Sequence, residues 1–90
     1  ENRIGSKIYF SLGRCYWYLE TYEEAIKSFD NAINLNKNDE LFFYYRGLCY
    51  YELDENEEAI DNFDRALDLN PNDARSFDYR SKALLKDKEN

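Results

Sequence analysis

The chain repeats itself at a period of 34 residues, and that period limits the folds open to it more than any other feature. Aligning 6–39 with 40–73 pairs Glu23-Glu24-Ala25-Ile26 with Glu57-Glu58-Ala59-Ile60, Phe29-Asp30 with Phe63-Asp64, Cys15-Tyr16 with Cys49-Tyr50 and Leu35-Asn36 with Leu69-Asn70. Gly13, Leu19, Ala32, Asn38 and Asp39 also recur as Gly47, Leu53, Ala66, Asn72 and Asp73, giving 15 identities in 34 positions. Ordinary residue frequencies would give roughly two. A third half-copy runs from Ala74 to Asn90. A fixed period of this length is the mark of a stacked repeat architecture.

Within each copy the apolar residues keep helical spacing. Ala25, Ile26, Phe29, Ala32 and Ile33 form one stripe; Ala59, Ile60, Phe63, Ala66 and Leu67 form its equivalent. First helices are expected at about Lys7–Leu19, Glu40–Leu53 and Ala74–Lys86, with loops near 21–22, 37–39, 54–56 and 71–73. Thr21 with Glu24 has the spacing of a capping box opening the second helix. Asp39 and Asp73 are suited to cap the third and fifth. Pro71 prevents the fourth helix from continuing. Gly13 and Gly47 are expected to face Ala25 and Ala59 where two helices approach closely. One hairpin cannot cover its own apolar stripe, so hairpins must stack.

The unit resembles the tetratricopeptide repeat. Its first copy reads Tyr9-x-x-Leu12-Gly13-x-x-Tyr16 and Ala25-x-x-x-Phe29. The second reads Phe43-x-x-Arg46-Gly47-x-x-Tyr50, Ala59-x-x-x-Phe63 and then Pro71; the third opens with Phe77-x-x-Arg80-Ser81-x-x-Leu84. The resemblance implies an all-α, right-handed solenoid of antiparallel hairpins. It would have five helices in a single domain over 1–90: repeats at 6–39 and 40–73, and a half-repeat or capping helix at 74–90. It also implies a protein-interaction module without enzymatic activity. In that family the first helix of each hairpin lines a concave groove.

Of 16 aromatic residues, eight (Tyr9, Tyr16, Tyr22, Phe29, Phe43, Tyr50, Phe63 and Phe77) stand where the repeat's own packing calls for a ring. The others are surplus: Phe10, Trp17, Tyr18, Phe42, Tyr44, Tyr45, Tyr51 and Tyr79. By the resemblance, all of these but Phe42 project into or beside the groove. With Leu48 and the cations Lys7, Arg14, Arg75 and Lys82, they form the expected peptide-binding surface, since Tyr and Trp bury a ring while keeping a polar tip wet. A thickened inter-repeat core is the alternative use of the same rings.

Charge divides along the same line. The net charge is −7. The first helices are slightly positive, whereas the second helices carry Lys27 and Arg65 against nine acids. The expected ligand is therefore an extended peptide segment of another protein, partly apolar and partly acidic. The alternative is a structural or self-assembly unit of a longer array with no peptide of its own. Chaperone-adaptor members of the family grip a terminal carboxylate with Lys, Asn, Asn, Lys and Arg. Those slots fall here on Phe10, Arg14, Tyr45, Arg75 and Tyr79, so heat-shock chaperone tails are not expected ligands.

Other chemistry has little to work with. The negative field repels a phosphate backbone, so nucleic acid is not an expected partner. No apolar run is long enough for membrane insertion. There is no histidine, and Glu23, Glu24, Glu57 and Glu58 open helices, where their charge favours the macrodipole. Asp54-x-Asn56-x-Glu58 lacks the glycine and final Glu of a calcium loop. No catalytic residue, cofactor or metal is expected. Cys15 and Cys49 occupy equivalent slots on neighbouring helices, too far apart for a disulfide, and read as small buried residues. Unpaired thiols are compatible with an intracellular setting; nothing marks a compartment. Without a signal peptide or initiator Met, the chain reads as an excised or processed segment. Phe77 and Leu84 keep the apolar character that a following helix would cover, although Arg80, Ser81 and Asp87 are more polar than Leu12, Gly13 and Leu19. This residual strip predicts weak self-association through the C-terminal helix, or further repeats.

Overall fold

A computed structural model describes residues 2–89. The elements, in order, are α1 (Arg3–Tyr18), α2 (Tyr22–Leu35), α3 (Glu40–Glu52), α4 (Asn56–Leu69) and α5 (Ala74–Glu89). There is no strand among the described residues. The hairpins α1–α2 and α3–α4 stack in series, and α5 closes on α4, giving the all-α solenoid expected.

Local chemistry sets the helix ends. Helix α1 begins four residues earlier than the sequence pattern suggests, because the Asn2 carboxamide accepts from the Gly5 N–H at 2.8 Å. Asp39 and Asp73 are caps as expected, accepting from the Leu41 and Arg75 amides at 3.0 and 3.2 Å. Thr21 is not a capping box: its hydroxyl donates to the Tyr16 carbonyl at 3.1 Å and makes no bond to the α2 amides. The turn inside each hairpin is instead built by the backbone. Glu20 and Asp54, one repeat apart, both take left-handed φ (62° and 59°). That lets the Thr21 and Glu55 amides reach back to the Tyr16 and Tyr50 carbonyls at 3.0 and 2.9 Å.

The core is aromatic rings laid over small residues. Phe29, Phe42 and Phe63 are fully buried, as are Ala25, Ala32, Ala59, Ala66 and Ala83. The glycines serve a ring rather than an alanine. A methyl group at Gly13 would lie 2.5 Å from the Phe29 ring, and one at Gly47 would lie 2.7 Å from Phe63. Between repeats an ion pair recurs at the 34-residue period. Arg46 donates to Asp30 and Asn62, both at 2.7 Å, and Arg80 pairs with Asp64.

Both cysteines are free. Cys49 is fully buried, and burial pushes its thiol up to about 12. Cys15 is exposed, contrary to the expectation that both are buried. The equivalent slot at Cys49 is covered by Ala25 and Phe29 of α2, and no helix among the described residues lies over Cys15.

Candidate aromatic groove

The first helices α1, α3 and α5 place the surplus rings in one connected ladder. Phe10 and Trp17 on α1 contact Tyr45 on α3, with ring centroids 5.5 and 5.6 Å apart. Tyr45 meets Tyr44 at 5.2 Å, Tyr44 meets Tyr79 on α5 at 6.2 Å, and Tyr79 meets Tyr51 at 5.6 Å. These separations and the steep interplanar angles are those of edge-to-face aromatic pairs. Trp17 also packs against Tyr18, a residue that is 63% exposed.

Cations stand over these rings. The Arg14 guanidinium lies 5.6 Å from both the Phe10 and Tyr45 centroids. Arg75 sits 4.6 Å over Tyr44, and Lys82 4.6 Å over Tyr79. Lys86 was not singled out in the sequence, yet its ammonium lies 3.7 Å over Tyr51. The spacing Tyr79, Lys82, Lys86 puts all three on one side of α5, which is the signal that could have found it.

These cations differ in what neutralises them. Arg75 pairs with Asp73 at 3.4 Å, Lys82 with Asp78 at 3.1 Å, and Lys86 with Asp54 at 2.8 Å. Arg14 pairs with no carboxylate among the described residues. Its pKa is raised first by the Tyr18 hydroxyl and then by Tyr45, so it stays charged. The Arg14 Nε and Trp17 Nε1 hydrogens are buried without an acceptor, a costly state for a donor.

Of the expected site residues, Leu48 and Lys7 lie outside the ladder and Tyr44 is a buried part of it. Tyr44 and Leu48 are each only 6% exposed and belong to the core. Tyr44 keeps its place in the ladder through its edges, and burial raises its hydroxyl pKa. Lys7 is exposed, but it lines a separate polar cleft of about 460 Å³ with Arg3, Asn36, Asn38, Asp39 and Glu40. Phe10, Arg14, Trp17, Tyr45, Tyr51 and Tyr79 are half-buried, while Tyr18, Arg75 and Lys82 are exposed. Phe42, excluded from the groove in the sequence reading, is indeed core, 5.0 Å from Phe10. No group of three or more potential metal ligands occurs among the described residues. Among the described residues, no helix is long and apolar enough to cross a membrane.

Two family models match the chain, Tetratricopeptide repeat over residues 41–73 and TPR repeat over residues 7–54. The chain belongs to the tetratricopeptide repeat family. No curated protein matches it. Among solved structures, the first TPR of Spaghetti (RPAP3) bound to the HSP90 peptide SRMEEVD is similar at 17% identity and TM-score 0.93, covering 99% of this chain and 72% of that one. The Arabidopsis OM64 TPR domain is similar at 20% identity and TM-score 0.91, covering 99% and 76%. The second TPR domain of human RPAP3 in complex with the HSP70 peptide SGPTIEEVD is similar at 22% identity and TM-score 0.87, covering 97% and 70%. These likenesses establish the tetratricopeptide fold.

Proposed function

We propose that this domain is a binding module, not an enzyme, and that its aromatic ladder holds an extended peptide segment of another protein, partly apolar and partly acidic. The observation that carries the reading is the ring ladder across all three first helices, with Arg14 as its one cation lacking an acid of its own among the described residues. Rings give an extended chain apolar contact along its length, and Arg14 supplies the charge that an acidic side chain would neutralise. Two similar structures hold acidic peptides, which supports the reading. The ladder departs from a carboxylate clamp at Phe10, Arg14, Tyr45 and Tyr79, which supports a ligand other than a chaperone tail.

Titration with synthetic acidic, neutral and basic peptides, followed by Trp17 emission, tests this. Acidic apolar peptides should shift the emission. Arg14→Glu should weaken them with little change in melting temperature, because a partly exposed charge steers more than it stabilises. Trp17→Ala should cost on the order of 2 kcal/mol of binding. A protein partner that binds the folded Arg14→Glu, Trp17→Ala, Tyr18→Ala triple variant at full affinity would overturn the reading. Circular dichroism verifies that the variant is folded.

A further inference from the structure

Helix α1 has a second face, turned away from the ladder, that nothing among the described residues covers. Ile4, Ile8, Leu12 and Leu19 are 78, 64, 43 and 71% exposed, and Cys15 is exposed between them. They follow one another at helical spacing, and with Ser11 they form a stripe that carries no charge. Monomeric proteins rarely leave so continuous an apolar strip in water.

The repeat shows what this face is shaped for. One period on, Ile8, Leu12 and Cys15 become Phe42, Arg46 and Cys49; two periods on, they become Ser76, Arg80 and Ala83. Phe42, Cys49, Ser76 and Ala83 are fully buried, and the two arginines are paired across to the preceding hairpin. The α1 face is thus the open half of a helix–helix contact that the chain makes twice elsewhere.

The residue at the centre selects the occupant. Covering helices α2 and α4 bring Asp30 and Asp64 to the arginines. Leu12 stands in that slot on α1, so a helix of the α2 kind would bury an aspartate with no partner, which is unfavourable. The remaining apolar strip of α5 (Phe77, Leu84 and Leu85, 54, 37 and 63% exposed) differs in ending on a charge, Lys88. A face complementary to an uncharged α1 must itself be uncharged, and α1 has that property.

We propose that this α1 face is a homotypic interface, closed by the α1 helix of a second copy of this chain about a two-fold axis. An antiparallel pair centred between Ser11 and Leu12 sets Ile4 against the partner's Leu19, Ile8 against the partner's Cys15, and Leu12 beside the partner's Ser11. It also places each helix N-terminus by the other's C-terminus, the favourable dipole arrangement. Such an interface is closed and self-complementary. The charge of −7 on each copy opposes it, so added salt tightens the dimer. The ladder lies on the opposite side of α1, and the dimer carries two ladders.

The test borrows residues from the protein's own copies. Ile8→Ser and Leu12→Arg install what α5 carries in the same slots, Ser76 and Arg80. In sedimentation velocity, the native chain should move from monomer to dimer with concentration, more readily at high salt. The double variant should stay monomeric, its association weaker by about tenfold or more, with unchanged circular dichroism. Leu19→Lys, at the exposed rim, gives the same readout should the double variant not fold. Maleimide labelling locates the contact, because only Cys15 is open to it. Its labelling should slow as the native chain is concentrated and should not slow in the variant. A native chain that remains monomeric at millimolar concentration, a dimer that leaves Cys15 labelling unchanged (as contact through α5 would), or a dimer that persists in the folded variant overturns the proposal.

Discussion

Cys15 and Cys49 are the same residue in the same slot of the same motif, followed by the same tyrosine, and their surroundings are opposite. Cys49 is sealed, with a thiol that ionises only near 12, because α2 lies across it. Cys15 is exposed, with no helix among the described residues lying across it. In a stacked repeat the motif fixes which way a side chain points, and the neighbouring unit decides whether it is buried.

The largest effect separating the two copies should come from their apolar slots. Phe42→Ala empties a fully buried site and should cost about 3–5 kcal/mol. Ile8→Ala, at the equivalent position and 64% exposed, should change the unfolding free energy by less than about 0.5 kcal/mol. Equal losses in denaturant titrations would mean that α1 is covered in the monomer.

Next come the slots of Leu12 and Arg46. Arg46→Leu leaves Asp30 without its cation and Asn62 without its donor, and should cost on the order of 1–2 kcal/mol. Leu12→Arg disturbs no existing pair and should leave monomer stability close to native.

The smallest effect concerns the caps. Burial raises the Asp73 pKa, but the Ser76 hydroxyl and Arg75 outweigh it, and the folded value ends below the ordinary one. A depressed folded pKa contributes stability that is present above the unfolded value of about 4 and is lost as pH falls through the folded one. Asp73→Asn should therefore cost about 1 kcal/mol at neutral pH. It should also flatten the acid limb of the stability profile, read from urea midpoints between pH 6 and 2.

What was legible in the sequence was local or periodic. Helix number, the Asp39 and Asp73 caps and the stop before Pro71 depend on residues within a turn or two of one another, and the stacking follows from the 34-residue repeat. Burial was harder to read. Tyr44 and Leu48 looked like groove residues because they sit on a first helix, but the contact between α3 and its neighbours turns them inward. Cys15 looked buried because its copy is. Thr21 fits a capping box by spacing, yet the left-handed Glu20 aims its hydroxyl at Tyr16 instead. Each miss concerns geometry set by a neighbouring element or a turn, which a residue pattern alone does not carry.

The ring ladder also has an optical consequence. The chain holds nine tyrosines and one tryptophan, and Trp17 touches two of those tyrosines directly, at 4.9 and 5.6 Å. At such separations, light absorbed by the phenols passes to the indole without radiation. The ladder therefore works as an antenna, with Tyr51 at its far end linked to Trp17 through Tyr79, Tyr44 and Tyr45. Tyrosine emission should be nearly dark in the folded chain and should brighten as the stack of hairpins opens, so one unmodified domain carries its own gauge of whether its repeats are still in contact.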